Sequence, residues 1–171
     1  MNLSQLQNNE YSSFYKGYIE QSINLPIVDG LKYNMVETIQ FYKDLPNEKG
    51  NYRYADGKWT IKEILQHIID TERIFAYRAL RIARQDQTPL PGFEQDDYVL
   101  SSNTNNRSLE SLVKEFTAVR HATIELFDSF NEEMLLAIGI ASQNSISVRA
   151  IGYIIIGHVN HHNTVIKERY L

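Results

Sequence analysis

The chain contains no cysteine. Disulfides, iron–sulfur clusters, thiolate zinc sites and a cysteine nucleophile are thereby excluded, and any thiol chemistry must take its sulfur from another molecule. No run of lysine or arginine forms a basic stripe, and the formal net charge is −4, so the electrostatic footprint of a nucleic-acid binder is missing. No segment approaches the ~18 apolar residues of a membrane span. The start, MNLSQLQNNEYSS, lacks the basic and apolar regions of a signal peptide, which makes a cytoplasmic location the default expectation. Four prolines and eight glycines in 171 residues leave few helix breakers. With 43% hydrophobic and 22% charged residues, the composition is that of one ordinary globular domain over 1–171.

What is present reads as helix. From Ile27 to Tyr42 the apolar positions Ile27, Leu31, Met35, Ile39 and Tyr42 recur three or four apart, one face of a helix ending before Pro46. Thr60 and Glu63 make a T-x-x-E capping box before a second helix, whose stripe is Ile61, Ile64, Leu65, Ile68, Phe75, Ala79 and Ile82. Pro89 and Pro91 stop it in a long acidic loop, TPLPGFEQDDYV. A third helix opens at Ser108 and carries Leu109, Leu112, Phe116, Val119, Thr123, Leu126 and Phe127, with FNEEMLLAI as a short helical turn after it. The fourth begins at a Ser147 cap and runs to the C-terminus. Without convincing strand alternation, four amphipathic segments predict an all-α four-helix bundle.

The last helix reads GHVNHHNTVIKERYL and holds three of the five histidines, His158, His161 and His162. Residues i and i+4 share a helix face, so His158 and His162 can aim at one point. Both fall near the centre of the stripe made by Ile151, Ile155, Val165 and Ile166, facing the bundle interior, while His161 lies toward its edge. The best third imidazole is His67, at the margin of the second helix's apolar face; His121 reads as surface. Three neutral imidazoles with an open fourth position are the arrangement of catalytic zinc. Imidazole equally suits nickel, iron or cobalt. Asp70, Glu72 and Tyr153 are candidates to orient the ligands, since a ligating histidine usually donates its other N–H. Taken alone, however, a helical H-x-x-x-H is more often packing than a metal site, and Asp70 and Glu72 read as solvated or paired with Arg73 and Arg78.

The blocks GKWTIKEILQHIIDTERIFAYRALRIARQDQTPLPGFEQDDYV and AIGYIIIGHVNHHNTVIKERYL resemble the DinB-like superfamily, also called YfiT-like metal-dependent hydrolases. The resemblance implies an up-down-down-up bundle, often a homodimer, in which one histidine of the second helix and a pair on the fourth hold a divalent metal. By position these are His67, His158 and His162. Relatives include bacillithiol S-transferases and mycothiol-dependent maleylpyruvate isomerases, which implies a small-molecule substrate and a low-molecular-weight thiol as cosubstrate. Two departures stand out. Some relatives carry Glu after the first histidine of the pair, where this chain has Val159, and thiol-transferase members carry a histidine where it has Glu72. The expectation is therefore an enzyme whose metal (zinc or nickel first, then iron, cobalt or manganese) activates a thiol or a water, with Glu72 moving the proton. The alternatives are a noncatalytic metal-binding or stress-response bundle and a purely structural dimer.

Overall fold

The computed structural model describes residues 2–171. The helix starts read from the sequence are where the chain caps itself. Thr60 Oγ1 accepts from the Glu63 amide at 3.2 Å while Glu63 Oε2 accepts from the Thr60 amide at 2.7 Å, opening α3 (Ile61–Ala83). Ser108 accepts from Ser111 at the start of α5 (Leu109–Asp128), and Ser147 from Ala150 at the start of α7 (Val148–Arg169), each at 3.1 Å. Each cap satisfies an amide that the first helical turn leaves without a partner. The other long helix, α2 (Ile27–Asp44), begins directly after Pro26.

These four helices form the bundle. Principal packing runs α2 to α5, α5 to α3, α3 to α7 and α7 to α2, so the sequence-consecutive pairs α2/α3 and α5/α7 lie on diagonals. Among the described residues no helix is long and apolar enough to cross a membrane.

Three elements escape the sequence reading. Residues 2–26 carry short 3₁₀ turns and α1 (Lys16–Glu20), which packs on α7. Gly157 permits this approach: a Cβ there would lie 1.8 Å from the Tyr18 carbonyl oxygen, an impossible contact. The acidic loop contains a short helix, α4 (Gln95–Ser101). The expected helical turn after α5 stops early: α6 (Glu132–Leu136) gives way to an antiparallel hairpin, β1 (Ile138–Ala141) and β2 (Asn144–Ser147).

The bundle's interior is divided along its length. One apolar cluster gathers Ile27, Leu31, Phe75, Ile124, Phe127 and Ile151 with their neighbours; a second gathers Tyr42, Ile64, Leu65, Leu112, Phe116 and Ile166. Between them on every long helix sit buried polar residues: Asn34 and Thr38 on α2, His67, Thr71 and Glu72 on α3, Arg120 and Thr123 on α5, His158 and Asn163 on α7. A polar layer therefore crosses the middle of the bundle, and it contains the histidines.

Candidate metal centre

His67 reaches the layer from α3, and His158 and His162 reach it from successive turns of α7. The Nε2 atoms of His67 and His162 each stand 3.0 Å from Nε2 of His158. Ligand nitrogens of all three lie within 4.8 Å of one another. The structure thus brings together the three sequence-predicted metal ligands. His67 is fully inside and not marginal, because the interface between α3 and α7 covers the edge of its stripe.

The donor chemistry explains why this trio fits a cation. A neutral imidazole Nε2 carries either a proton or a lone pair. Nε2 of His158 faces two other Nε2 atoms and can form a well-directed hydrogen bond to only one of them. Turning all three lone pairs onto one ion removes the conflict, and tetrahedral bonds of about 2.0–2.1 Å would hold the nitrogens about 3.4 Å apart. Burial lowers the pKa of His67 to about 4. It also holds His158 and His162 well below the ordinary value, with the neighbouring imidazoles adding to the effect. All three are therefore neutral at pH 7, the form that binds metal.

The surroundings orient the rings. Nδ1 of His67 lies 3.4 Å from the Thr71 hydroxyl one turn on; donation to that oxygen leaves Nε2 as the inward lone pair. Trp59 lies against His67 with ring centroids 4.7 Å apart, and Tyr18 meets His158 edge-on at 5.3 Å. His161, half-buried, turns away: the Gln21 side-chain amide approaches its Nδ1 at 3.2 Å. His121 is exposed, as expected.

The three residues expected to orient the ligands go elsewhere. Asp70 accepts from Gln66 at 2.9 Å and lies 3.5 Å from Arg73. The Tyr153 hydroxyl donates to the Leu25 carbonyl at 3.2 Å. Glu72 requires a correction. It is neither solvated nor paired with Arg78, because both of its oxygens accept from Arg120, at 2.7 and 2.8 Å. Arg120 in turn donates to Asn34 Oδ1 at 2.7 Å, and Asn34 donates to Asn160 Oδ1 at 2.7 Å. This closed network was missed in the sequence, although a charged residue at 120 inside an apolar stripe was its visible trace.

One side of the trio opens to a cavity of about 500 Å³, walled by α3, the N-terminal segment, the loop before α4 and the hairpin tip, with His67 and His158 in its lining. A group bound at the histidines is therefore within reach of a small molecule.

Comparison with known proteins agrees with this arrangement. OB0413 of Oceanobacillus iheyensis, named provisionally as a metal-dependent hydrolase, is 27% identical over 92 residues. The match covers 53% of this chain and spans about half, 52%, of that relative. YfiT from Bacillus subtilis, described provisionally as a metal-dependent hydrolase with an unusual four-helix bundle topology, superposes with a TM-score of 0.71 over 96% of this chain and 90% of its own, at 10% identity. At that identity the likeness establishes the fold. The sequence profile of the DinB superfamily matches residues 33–166, a span that includes all three inward histidines, and the chain belongs to that superfamily.

Proposed function

We propose that the protein is a divalent-metal-dependent enzyme in which His67, His158 and His162 hold the ion and a small molecule bound in the adjoining cavity is attacked by a nucleophile activated there. The observation that carries this reading is the convergence of three buried imidazole nitrogens beside an open cavity. A bound divalent ion lowers the pKa of a coordinated water to about 7 and deprotonates a thiol outright.

Thiol transfer stands ahead of hydrolysis for a chemical reason. Among the described residues no carboxylate joins the histidine cluster; Glu72 is held by Arg120, and the residue after His158 is the buried Val159. A metal thiolate needs no general base, whereas attack by water usually gains from one. Glu72 accordingly has no proton-transfer role in this proposal. Hydrolysis is the second reading, supported by the name of the Oceanobacillus relative. Zinc and nickel are the first metals to test, since both suit imidazole ligands.

Elemental analysis of purified protein should find about one divalent ion per chain, with sharp losses in His67→Ala, His158→Ala and His162→Ala and none in His121→Ala. Full occupancy in the His158→Ala, His162→Ala double variant would end the reading. Metal-loaded protein should then accelerate thiol consumption by 1-chloro-2,4-dinitrobenzene more than it accelerates hydrolysis of p-nitrophenyl acetate. The reverse ratio selects the hydrolase reading.

A further inference from the structure

Three arginines are buried: Arg78, Arg120 and Arg149, at 2%, 0% and 8% exposure. Two of them are closed by carboxylates. Arg120 holds both oxygens of Glu72, and Arg149 holds Glu10, with Nε 2.7 Å from Oε2. Arg78 is the exception: among the described residues no carboxylate forms a salt bridge with it. Its partners are all neutral oxygens: Nη2 donates to the Pro91 carbonyl at 2.8 Å and to the Ser142 hydroxyl at 3.0 Å, and the Tyr15 phenol is a further side-chain partner. The guanidinium lies against Phe75 and Phe93, 5.2 and 6.0 Å from their ring centroids. An unanswered charge among apolar rings is costly to bury.

That charge lines the cavity onto which His67 and His158 open. Phe75, Phe93 and Tyr15 supply its apolar wall, and Ser142 and Asn144 bring the hairpin tip to the same side. Ser142 has φ of 49°, a left-handed conformation uncommon for serine, and it fixes the arginine head by its hydroxyl. Glu94 and Asp96 are also in the lining, but both are exposed and solvated at the mouth.

We propose that Arg78 is the carboxylate-binding residue of this cavity and that the molecule bound there is a small organic monocarboxylate with an apolar body, its carboxylate on Arg78 and its other end toward the histidines. This inference rests on reading the cavity as the substrate site of the proposed enzyme. A guanidinium donates to a carboxylate through two parallel N–H bonds, and the partners Arg78 has within the chain, Pro91, Ser142 and Tyr15, are all neutral and leave its charge unanswered. The aromatic wall takes the apolar body. The acids at the mouth disfavour phosphates and polycarboxylates, whose excess charge finds no cationic side chain other than Arg78 in the lining.

Titration calorimetry with benzoate, benzyl alcohol and inorganic phosphate tests this, using both the metal-bearing protein and chelator-treated protein. Benzoate should bind about tenfold tighter than its neutral analogue in both preparations, which is the advantage of a charge-assisted pair, and phosphate should bind more weakly than benzoate. Arg78→Met should abolish the preference, and Arg78→Lys, which keeps the charge and loses the fork, should retain part of it. Equal binding of benzoate and benzyl alcohol by the wild type overturns the proposal without any variant. So does phosphate binding tighter than benzoate. A preference that disappears on chelation but survives in metal-bearing Arg78→Met would place the anion on the metal and also overturn it. Failure of the metal reading shows separately, as absence of ion from the protein, and leaves the chelated arm of the experiment intact.

Discussion

The polar layer has two halves that deal with burial in opposite ways. Around Arg120 every group has its complement: two carboxylate oxygens, the Asn34 amide oxygen and the Leu31 carbonyl at 3.2 Å receive the guanidinium. Asn34 continues the chain to Asn160, whose amide donates to the Gln21 carbonyl at 2.8 Å. Around His158 the groups duplicate one another, with three like nitrogens facing a common centre. The Arg120 network is complete within the chain and needs nothing from outside. The second becomes complete only with a cation, so unmatched chemistry, more than burial or polarity as such, marks the place where a ligand belongs.

Removing one partner from the complete half should have the largest effect. Glu72→Ala leaves the Arg120 charge buried and unpaired, and a loss of about 3–5 kcal/mol in unfolding free energy follows, measurable by urea denaturation. Metal per folded chain should stay unchanged, because Glu72 does not join the histidine cluster. Metal lost without loss of stability would show that the two halves are one site. His158→Ala should behave oppositely, losing the ion while the metal-free fold changes little.

The second prediction separates the halves by pH. In metal-free protein the pKa of His67 is depressed to about 4 by burial, from 6.5. Between those values the unfolded chain binds more protons than the folded one, so stability increases with pH there. On acidification it should start to fall near pH 6.5 and continue falling to about pH 4, by on the order of 3 kcal/mol for His67 alone. His158 and His162 act in the same direction. Urea midpoints with chelator at pH 7.5, 6 and 5 check this; a flat profile would mean that the imidazoles are not buried together.

Much of this was legible in the sequence, and what was not has identifiable causes. Hydroxyl caps and 3.6-residue stripes are local signals, and Thr60, Ser108 and Ser147 all cap as read. The i, i+4 spacing of His158 and His162 is equally local. His67 was found because so few histidines compete for the third place. The hairpin was missed because its two-residue turn is Ser142-Gln143, with φ of 49° and 65°, where the usual signature is Asn-Gly. Glu72 was misread because its partner lies 48 residues away on another helix, a pairing that periodicity does not encode. Arg78 left the same trace as Arg120, a charge inside an apolar stripe, but that trace looks the same whether or not a carboxylate meets it.

The third effect is that of the ion on the fold. A metal bridging α3 and α7 binds the native state alone, and at a hundred times its dissociation constant it adds about 2.7 kcal/mol. Thermal melts at pH 7.5 with and without chelator, on protein shown to carry metal, should differ by several degrees. Identical curves would mean that the ion does not join the two helices. Gly157→Ala sharpens this from the outside: its Cβ meets the Tyr18 carbonyl, and overpacking of this kind costs about 1–3 kcal/mol. Since α1 must move and Tyr18 covers His158, the variant should also admit chelator faster, seen as quicker metal release.

The smallest effect belongs to His161, and it tests whether the trio is defined by geometry or by mere crowding of imidazoles. Its ring lies 5.2 Å from that of His162 and 5.3 Å from Tyr18, as near as many ligands lie to one another. Its place on the helix nevertheless turns it to the edge, where Nδ1 meets the Gln21 amide outside the cluster of converging nitrogens. His161→Ala should therefore keep the metal and lose only one part-exposed hydrogen bond and some ring contact, about 1 kcal/mol or less. Elemental analysis and urea denaturation of this variant beside His162→Ala, one position along, give the comparison directly. If both variants lose metal equally, the site includes the edge histidine and the three-nitrogen centre is too narrow a description. If His161→Ala retains it, one step along a helix separates a ligand from a bystander.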